Sequence, residues 1–114
     1  MIKAVMFLHK NRYVGYYITG HAGFSEYNKD IVCSAVSALA QTVLIGLTEK
    51  LKIKTDSSIF EEGTMFVLVD VNSSEMLLDK ADLLIGTLAM GLKNIEANYN
   101  KFLSVSERKV AEKC

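Results

Sequence analysis

The sequence predicts an α+β domain in which two helices pack on an antiparallel or mixed sheet, in the order β-β-α-β-β-α. Short segments rich in alternating, β-branched and aromatic residues occur in pairs joined by polar turns, which is typical of β-hairpins. Two longer segments carry apolar residues every three or four positions, which is typical of amphipathic helices. The 114 residues contain no proline and leave room for one core. We therefore expect residues 1–114 to form a single domain.

The strands are predicted from two hairpins. Polar residues at 10–12 separate the first pair of strands, and Glu61, Glu62 and Gly63 separate the second pair. Such short polar connections favour antiparallel pairing of the segments that they join. The predicted strands cover residues 2–9, 13–20, 52–60 and 64–71.

The first helix is predicted from Ile31 to about Lys52, with Asp30 as its N-cap. Residues 31–48 carry no charged side chain and reach the lower length limit for a membrane span. Their polar residues nevertheless share one face of the helix, which favours an amphipathic helix in a soluble domain. The apolar face of this helix is predicted to consist of Val32, Val36, Leu39, Val43 and Leu47.

The second helix is predicted to begin after Ser73 and Ser74, because serine is favoured as an N-cap. Its apolar stripe extends from Leu77 to Tyr99 at spacings of three or four residues. A short edge strand is predicted to follow over residues 102–106. Both helices should therefore direct one apolar face towards the sheet.

Composition and charge exclude several classes of function. Thirteen basic and 13 acidic residues cancel, with a pI of about 6.7, so no overall field attracts nucleic acid or an anionic membrane. The two cysteines, Cys33 and Cys114, cannot form the disulfide framework of a small secreted domain. The apolar run from Ala4 to Leu8 is too short for a signal peptide. We expect a cytoplasmic protein that does not bind nucleic acid directly or associate with a membrane.

His21 and Cys33 are the predicted chemical centre. With Asp30 as N-cap, Cys33 would lie in the first helical turn, where unpaired N–H groups and the helix dipole favour a thiolate. His21 follows the second predicted strand and could act as general base or ion-pair partner for the thiol. The pair is typical of a Cys–His hydrolase dyad.

The groups around this pair are less specific. Asp30, Glu26 or a backbone carbonyl could orient the imidazole, although capping alone would explain Asp30. Ser34 and Ser37 are polar residues near the thiol. One histidine and one cysteine supply two of the four ligands of a structural zinc site, so we expect no metal and no cofactor. From the residues alone, a non-catalytic peptide-binding module and a small dimerisation domain are the alternatives to an enzyme.

Residues 20–37 closely resemble the signature of the ribosomal-processing cysteine protease family, Prp. The shared elements are Gly-His-Ala, then Glu-Tyr, then Asp-Ile-Val-Cys followed by small residues and a serine. Ser25 stands where family members often have glycine, and Ser34 stands where alanine is usual. The resemblance implies that Cys33 is the nucleophile and His21 its base.

The same resemblance implies a substrate and an assembly. Family members are endopeptidases that remove an N-terminal extension from a protein of the large ribosomal subunit, cutting after a Phe-Phe segment. They are homodimers, and a flexible loop between the two catalytic residues admits the substrate. Here that loop would be residues 23–29, within which Phe24 and Tyr27 could line an aromatic pocket. The expected substrate-loop residues are Gly23, Phe24, Ser25, Glu26 and Tyr27. A ribosome-associated module that binds the peptide without cleaving it is the alternative.

Overall fold

A computed structural model describes residues 1–20, 27–60 and 63–111, with the backbone alone for residues 27–30. The elements in this part of the chain are β1 (Ile2–His9), β2 (Arg12–Thr19), α1 (Tyr27–Ile45), β3 (Thr55–Ile59), β4 (Met65–Val69), α2 (Glu75–Asn98) and β5 (Leu103–Lys109). A π-helical turn, Gly46–Lys50, continues α1. This order confirms the predicted α+β class and the edge strand after the second helix.

The described strands form one mixed sheet in the order β3-β4-β2-β1-β5. β1 pairs antiparallel with β2 and parallel with β5, whereas β4 pairs antiparallel with both β2 and β3. The β1–β2 connection is a two-residue turn in which Lys10 and Asn11 have φ of 50° and 65°. Two positive φ values are typical of the type I′ turn, whose twist matches that of the paired strands.

One face of the sheet forms the core with both helices. Alternate strand residues point to this face because side chains alternate along a strand. The Tyr16 ring is fully buried, and its hydroxyl donates to the Ala40 carbonyl of α1 at 2.7 Å. The buried strand residues are Ile2, Ala4, Met6, Val14, Tyr16, Ile18, Met65, Val67, Val69 and Leu103.

The opposite face of the sheet also carries apolar side chains, and no described helix covers it. The rings of Phe7 and Phe66 lie 6.0 Å apart at an interplanar angle of 56°, a tilted arrangement favourable for aromatic pairs. We call this the open face. Its apolar residues are half-buried, namely Val5, Phe7, Tyr17, Phe66 and Leu68.

Helix α1 begins earlier than the sequence predicts. It starts at Tyr27, so Asp30 lies inside its first turn and the prediction of Asp30 as N-cap is wrong. The prediction of a loop through Lys29 is wrong for residues 27–29, which are helical. The physical reason is that residues 27–30 include no glycine or proline to interrupt the helix. A carboxylate in the first turn is also compatible with the helix dipole.

The buried side of α1 agrees with the predicted apolar face at Val32, Val36, Val43 and Leu47 and differs from it at Leu39. Val32, Val36 and Ala40 are buried, whereas Leu39 is 41% exposed, so the prediction that Leu39 lies on the core face is wrong. A four-residue spacing follows one face of a helix with 3.6 residues per turn, and Leu39 lies beside that face. Within the described residues, the stretch Ile31–Lys50 is apolar and long enough to cross a membrane. Its burial of one side against the sheet is typical of a core helix, as the sequence predicts.

Helix α2 has the predicted start. Ser74 is its N-cap, and the Ser74 hydroxyl accepts a hydrogen bond from the Leu77 amide at 3.2 Å. The Arg12 guanidinium, at the start of β2, donates to the Asp79 carboxylate at 2.9 Å. These contacts fix the N-terminal end of α2 over the β1–β2 hairpin.

Candidate active site

Cys33 lies on α1, six residues after Tyr27. The side chain is half-buried and packs against the core, between the buried Val32 and Val36. Because an α-helix rises 1.5 Å per residue, Cys33 lies about 9 Å along the axis from the start of α1. The prediction that Cys33 occupies the first turn is therefore wrong. Because the dipole effect fades beyond that turn, the helix end does little to stabilise a thiolate at this position.

His21 follows the C-terminal end of β2. The strand ends at Thr19, and Gly20 then has φ of 89°, a conformation that side-chain-bearing residues rarely adopt. A Cβ on Gly20 would lie 2.4 Å from the Met1 carbonyl oxygen. Glycine is therefore required at the position where the chain leaves the sheet. The predicted site residues His21, Gly23, Phe24, Ser25 and Glu26 lie outside the described residues, so the pairing of His21 with Cys33 and the substrate loop stay predictions.

The remaining predicted site residues lie on α1. Tyr27 and Asp30 belong to its first turn, and their side chains are outside the description. Ser34 is exposed to solvent beside Cys33. Ser37 is half-buried, and its hydroxyl accepts a hydrogen bond from the Gln41 amide at 2.9 Å. The structure thus places Ser37, rather than Ser34, against other elements of the fold.

Ser37 lines a small cleft between α1 and the β3–β4 hairpin. Thr19, Met65 and Ile59 belong to the same end of the sheet, because Ile18 pairs with Met65 and Met65 pairs with Ile59. The hydroxyls of Thr19 and Thr64 lie 3.2 Å apart, which links the end of β2 to the start of β4. The cleft is lined by Ile18, Ser37, Ala40, Gln41, Ile59, Gly63, Thr64 and Met65.

Sequence reasoning did not identify the hairpin side of this cleft. Ile59 and Phe60 were ordinary members of a predicted strand, yet they are 58% and 52% exposed. The available signal was two adjacent large apolar residues directly before a turn, where polar residues are usual. Gln41 was also missed, because a glutamine on the polar face of a helix has no distinguishing pattern.

A larger cleft lies elsewhere on the molecule. Its volume is about 460 Å³, and it is lined by Lys54, Asp56, Leu68, Val69, Asp70, Val71, Val110 and Ala111. None of these residues belongs to α1, and Cys33 is not among them. Within the described part of the chain, no group of three or more His, Cys, Asp or Glu side chains could hold a metal ion.

Comparison with known proteins gives one consistent family. A sequence model described as "Cysteine protease Prp" matches residues 1–104. The "Ribosomal processing cysteine protease Prp" of Staphylococcus aureus is 33% identical over 85 residues, covering 72% of this chain and 74% of the relative. The protein of that name from Bacillus subtilis is 32% identical over 104 residues, covering 86% and 88%.

Solved structures share the fold. SMU.848 from Streptococcus mutans superposes with a TM-score of 0.83 at 26% identity, covering 96% of each chain. The S. aureus protease Prp in complex with a substrate peptide superposes with a TM-score of 0.82 at 21% identity, covering 95% of this chain and 100% of that one. These similarities confirm a compact domain with two helices on a five-stranded mixed sheet over the described residues.

Proposed function

The chain belongs to the Prp family of cysteine proteases, and on that premise we propose that Cys33 is its nucleophile and His21 its general base. The proposed reaction removes the N-terminal extension of a large-subunit ribosomal protein by cleavage after a Phe-Phe segment. The observation that carries the assignment is the placement of Cys33. It is a half-buried thiol on the first helix, four residues before the cleft-lining Ser37 and downstream of the strand end that leads to His21.

The proposed chemistry proceeds through an acyl-enzyme. The Cys33 thiolate attacks the scissile carbonyl carbon and forms a C–S bond, and the peptide C–N bond then breaks as the His21 imidazolium protonates the leaving amine. His21 next removes a proton from water, which attacks the thioester and releases the new carboxyl terminus. Because Cys33 lies beyond the first turn of α1, the imidazole is the group that must hold the thiol as a thiolate.

The nature of the relatives supports a peptide substrate. The curated relatives are named as ribosomal processing proteases, and the S. aureus structure holds a substrate peptide. Burial of one aromatic side chain in an apolar site contributes about 2–3 kcal/mol, so a Phe-Phe pair can supply most of the affinity for a short extension. With a ribosomal substrate, we expect the protease to act in the cytoplasm.

We also propose that the protein is a homodimer that buries the open face. Asp56 lies at one edge of this face and Arg108 at the other, and both belong to the row that includes Leu68, Gly15 and Phe7. A two-fold axis parallel to the strands would place Asp56 of one copy opposite Arg108 of the other. Apolar side chains at the centre with complementary charges at the rim are typical of a protein interface.

Cleavage of a peptide with Phe-Phe before the scissile bond tests the assignment. Wild-type protein should release two products of the expected masses, and Cys33→Ala should release none. His21→Ala should be slower by about 10²-fold or more, because general base catalysis contributes at least that much. Cys114→Ala is the matched control and should retain wild-type turnover. Turnover by Cys33→Ala would contradict the nucleophile, and wild-type binding without products would favour a non-catalytic module.

Light scattering tests the dimer. Phe66→Glu places a charge at the centre of the open face and should convert a dimer to a monomer. Met90→Glu is the control, because Met90 is 74% exposed on α2. A dimer that survives Phe66→Glu would exclude this face as the interface.

A further inference from the structure

The way in which the chain leaves β2 bears directly on the proposed general base. His21 comes two residues after Thr19, the last residue of this strand. Ile18 is a core residue, and side chains alternate along a strand, so Thr19 points to the open face. In an unbroken strand the side chain of residue 21 would point to the same face as Thr19, away from the helix that carries Cys33. The proposed pairing of His21 with Cys33 therefore depends on the turn at Gly20.

Two contacts hold the end of β2 at this turn. Gly20 has φ of 89° and packs so closely on the Met1 carbonyl oxygen that a Cβ would lie 2.4 Å from it. On the side of β4, the hydroxyls of Thr19 and Thr64 lie 3.2 Å apart, within hydrogen-bond distance. Both threonines are half-buried, so this hydrogen bond is partly shielded from water. The chain thus leaves the sheet between one contact to the start of the chain and one to the β3–β4 hairpin.

Thr64 is a fixed support for the second contact. Ile18 and Met65 are the last register pair between β2 and β4, and this pairing brings Thr64 beside Thr19. The Thr64 carbonyl accepts a hydrogen bond from the Phe60 amide at 2.8 Å, which closes the β3–β4 hairpin. The backbone of Thr64 is thus held from the side of β3, and its hydroxyl holds β2 from the other side.

We propose that the hydroxyl pair of Thr19 and Thr64 positions the imidazole of His21. The pair holds the end of β2, and the turn at Gly20 then presents the imidazole to Cys33. This inference rests on the proposed role of His21 as general base. Both threonines are positioning residues, because they act through the strand end and not on the reacting atoms. The net loss of one hydrogen bond changes the ratio of two conformations about fivefold, so without the pair the imidazole spends less time in place.

Steady-state kinetics with matched variants tests the positioning role. Thr19→Val and Thr64→Val should each lower kcat about fivefold with KM unchanged, because the population with the imidazole in place falls by that factor. The double variant should be no slower than either single variant, since the second hydroxyl has no bond left to lose. Thr64→Ser keeps the hydroxyl and should retain wild-type kcat. Additive losses in the double variant, or a rise in KM confined to Thr64→Val, would overturn the proposal.

Thr55→Val is the matched control for the kinetics. The Thr55 hydroxyl donates to the Ile53 carbonyl at 2.8 Å on the strand β3. The substitution therefore removes a threonine hydrogen bond from the same sheet and leaves the end of β2 intact. It should retain wild-type kcat, and a loss equal to that of Thr19→Val would overturn the proposal.

Alkylation of Cys33 by iodoacetamide separates this inference from the proposed function. In a Cys114→Ser background, Thr19→Val should raise the pH midpoint of alkylation in the same direction as His21→Ala does. In the His21→Ala background, Thr19→Val should leave the midpoint unchanged, because the threonine acts only through the imidazole. A shift of equal size in both backgrounds would overturn the positioning role.

The combined outcomes distinguish the two failures. If wild-type protein cleaves no peptide while the alkylation pattern holds, the proposed function fails and the positioning role stands. If wild-type protein cleaves, and Thr19→Val changes neither kcat nor the midpoint, the positioning role fails alone. Equal midpoints for wild type and His21→Ala would overturn both.

Discussion

The hydrogen bond between Tyr16 and Ala40 should stabilise the fold by about 1 kcal/mol. The Tyr16 ring is fully buried, and its hydroxyl donates to the Ala40 carbonyl at 2.7 Å. Burial raises the pKa of this hydroxyl, which keeps it protonated as a donor. Tyr16→Phe removes the hydrogen bond and keeps the ring, and the net value of one such bond is about 0.5–1.5 kcal/mol. The expected fall in Tm is about 4 °C for a domain of this size.

Chemical denaturation in urea measures this change directly. Tyr17→Phe is the matched control, because Tyr17 is the next residue on the strand and lies half-buried on the open face. The control should stay within about 0.5 kcal/mol of wild type, as substitutions away from buried features do. Equal free energies of unfolding for Tyr16→Phe and wild type would refute the reasoning that this bond holds α1 to the sheet.

Two further predictions concern the sheet. A Cβ at Gly15 would lie 2.2 Å from the Val67 carbonyl oxygen, so Gly15→Ala should lower the free energy of unfolding in urea by about 2 kcal/mol; an unchanged value would contradict this. The Tyr13 hydroxyl and Lys93 both bind the Glu107 carboxylate and lower its pKa. These contacts stabilise the fold at pH values above the ordinary carboxyl pKa of 4.5. The stabilisation is lost as the pH falls through the lowered pKa. Glu107→Gln should therefore reduce the loss of stability in acid, and identical pH profiles would contradict this.

Local signals predicted most of the elements. The N-cap at Ser74 was predicted because serine precedes a segment with apolar residues every three or four positions. The structure has that cap, and the Ser74 hydroxyl accepts a hydrogen bond from the Leu77 amide. The first hairpin was visible because Lys10 and Asn11 interrupt two alternating segments. In these cases the residues that decide the structure lie within a few positions of one another.

Features that depend on distant contacts were not predicted. Leu39 and Ala40 are both compatible with a buried helix face, and only packing against the sheet decides that Ala40 is the buried one. The parallel pairing of β5 with β1 joins segments about a hundred residues apart, and the strand order also needs the pairing of β2 with β4, about fifty residues apart. The cleft at Ile59 and Thr64 also depends on a long-range pairing, because Ile18 of β2 pairs with Met65 of β4.

The predicted site was incomplete for a related reason. Aspartate is favoured at helix N-caps, which made Asp30 the predicted start. Nothing in residues 27–30 stops the helix from starting earlier, however, and α1 begins at Tyr27. That shift places Cys33 beyond the reach of the helix end. The family signature over residues 20–37 still identified the protease, since family membership does not depend on where the helix begins.

The pH dependence of Cys33 alkylation tests the central claim most directly. In a Cys114→Ser background only Cys33 can react, and intact mass reports its modification by iodoacetamide. If His21 holds the thiol as a thiolate, the rate should level off at a pH well below the ordinary thiol pKa of about 8.5, and His21→Ala should move this midpoint back towards that value. The same midpoint in both proteins would contradict the pairing of His21 with Cys33.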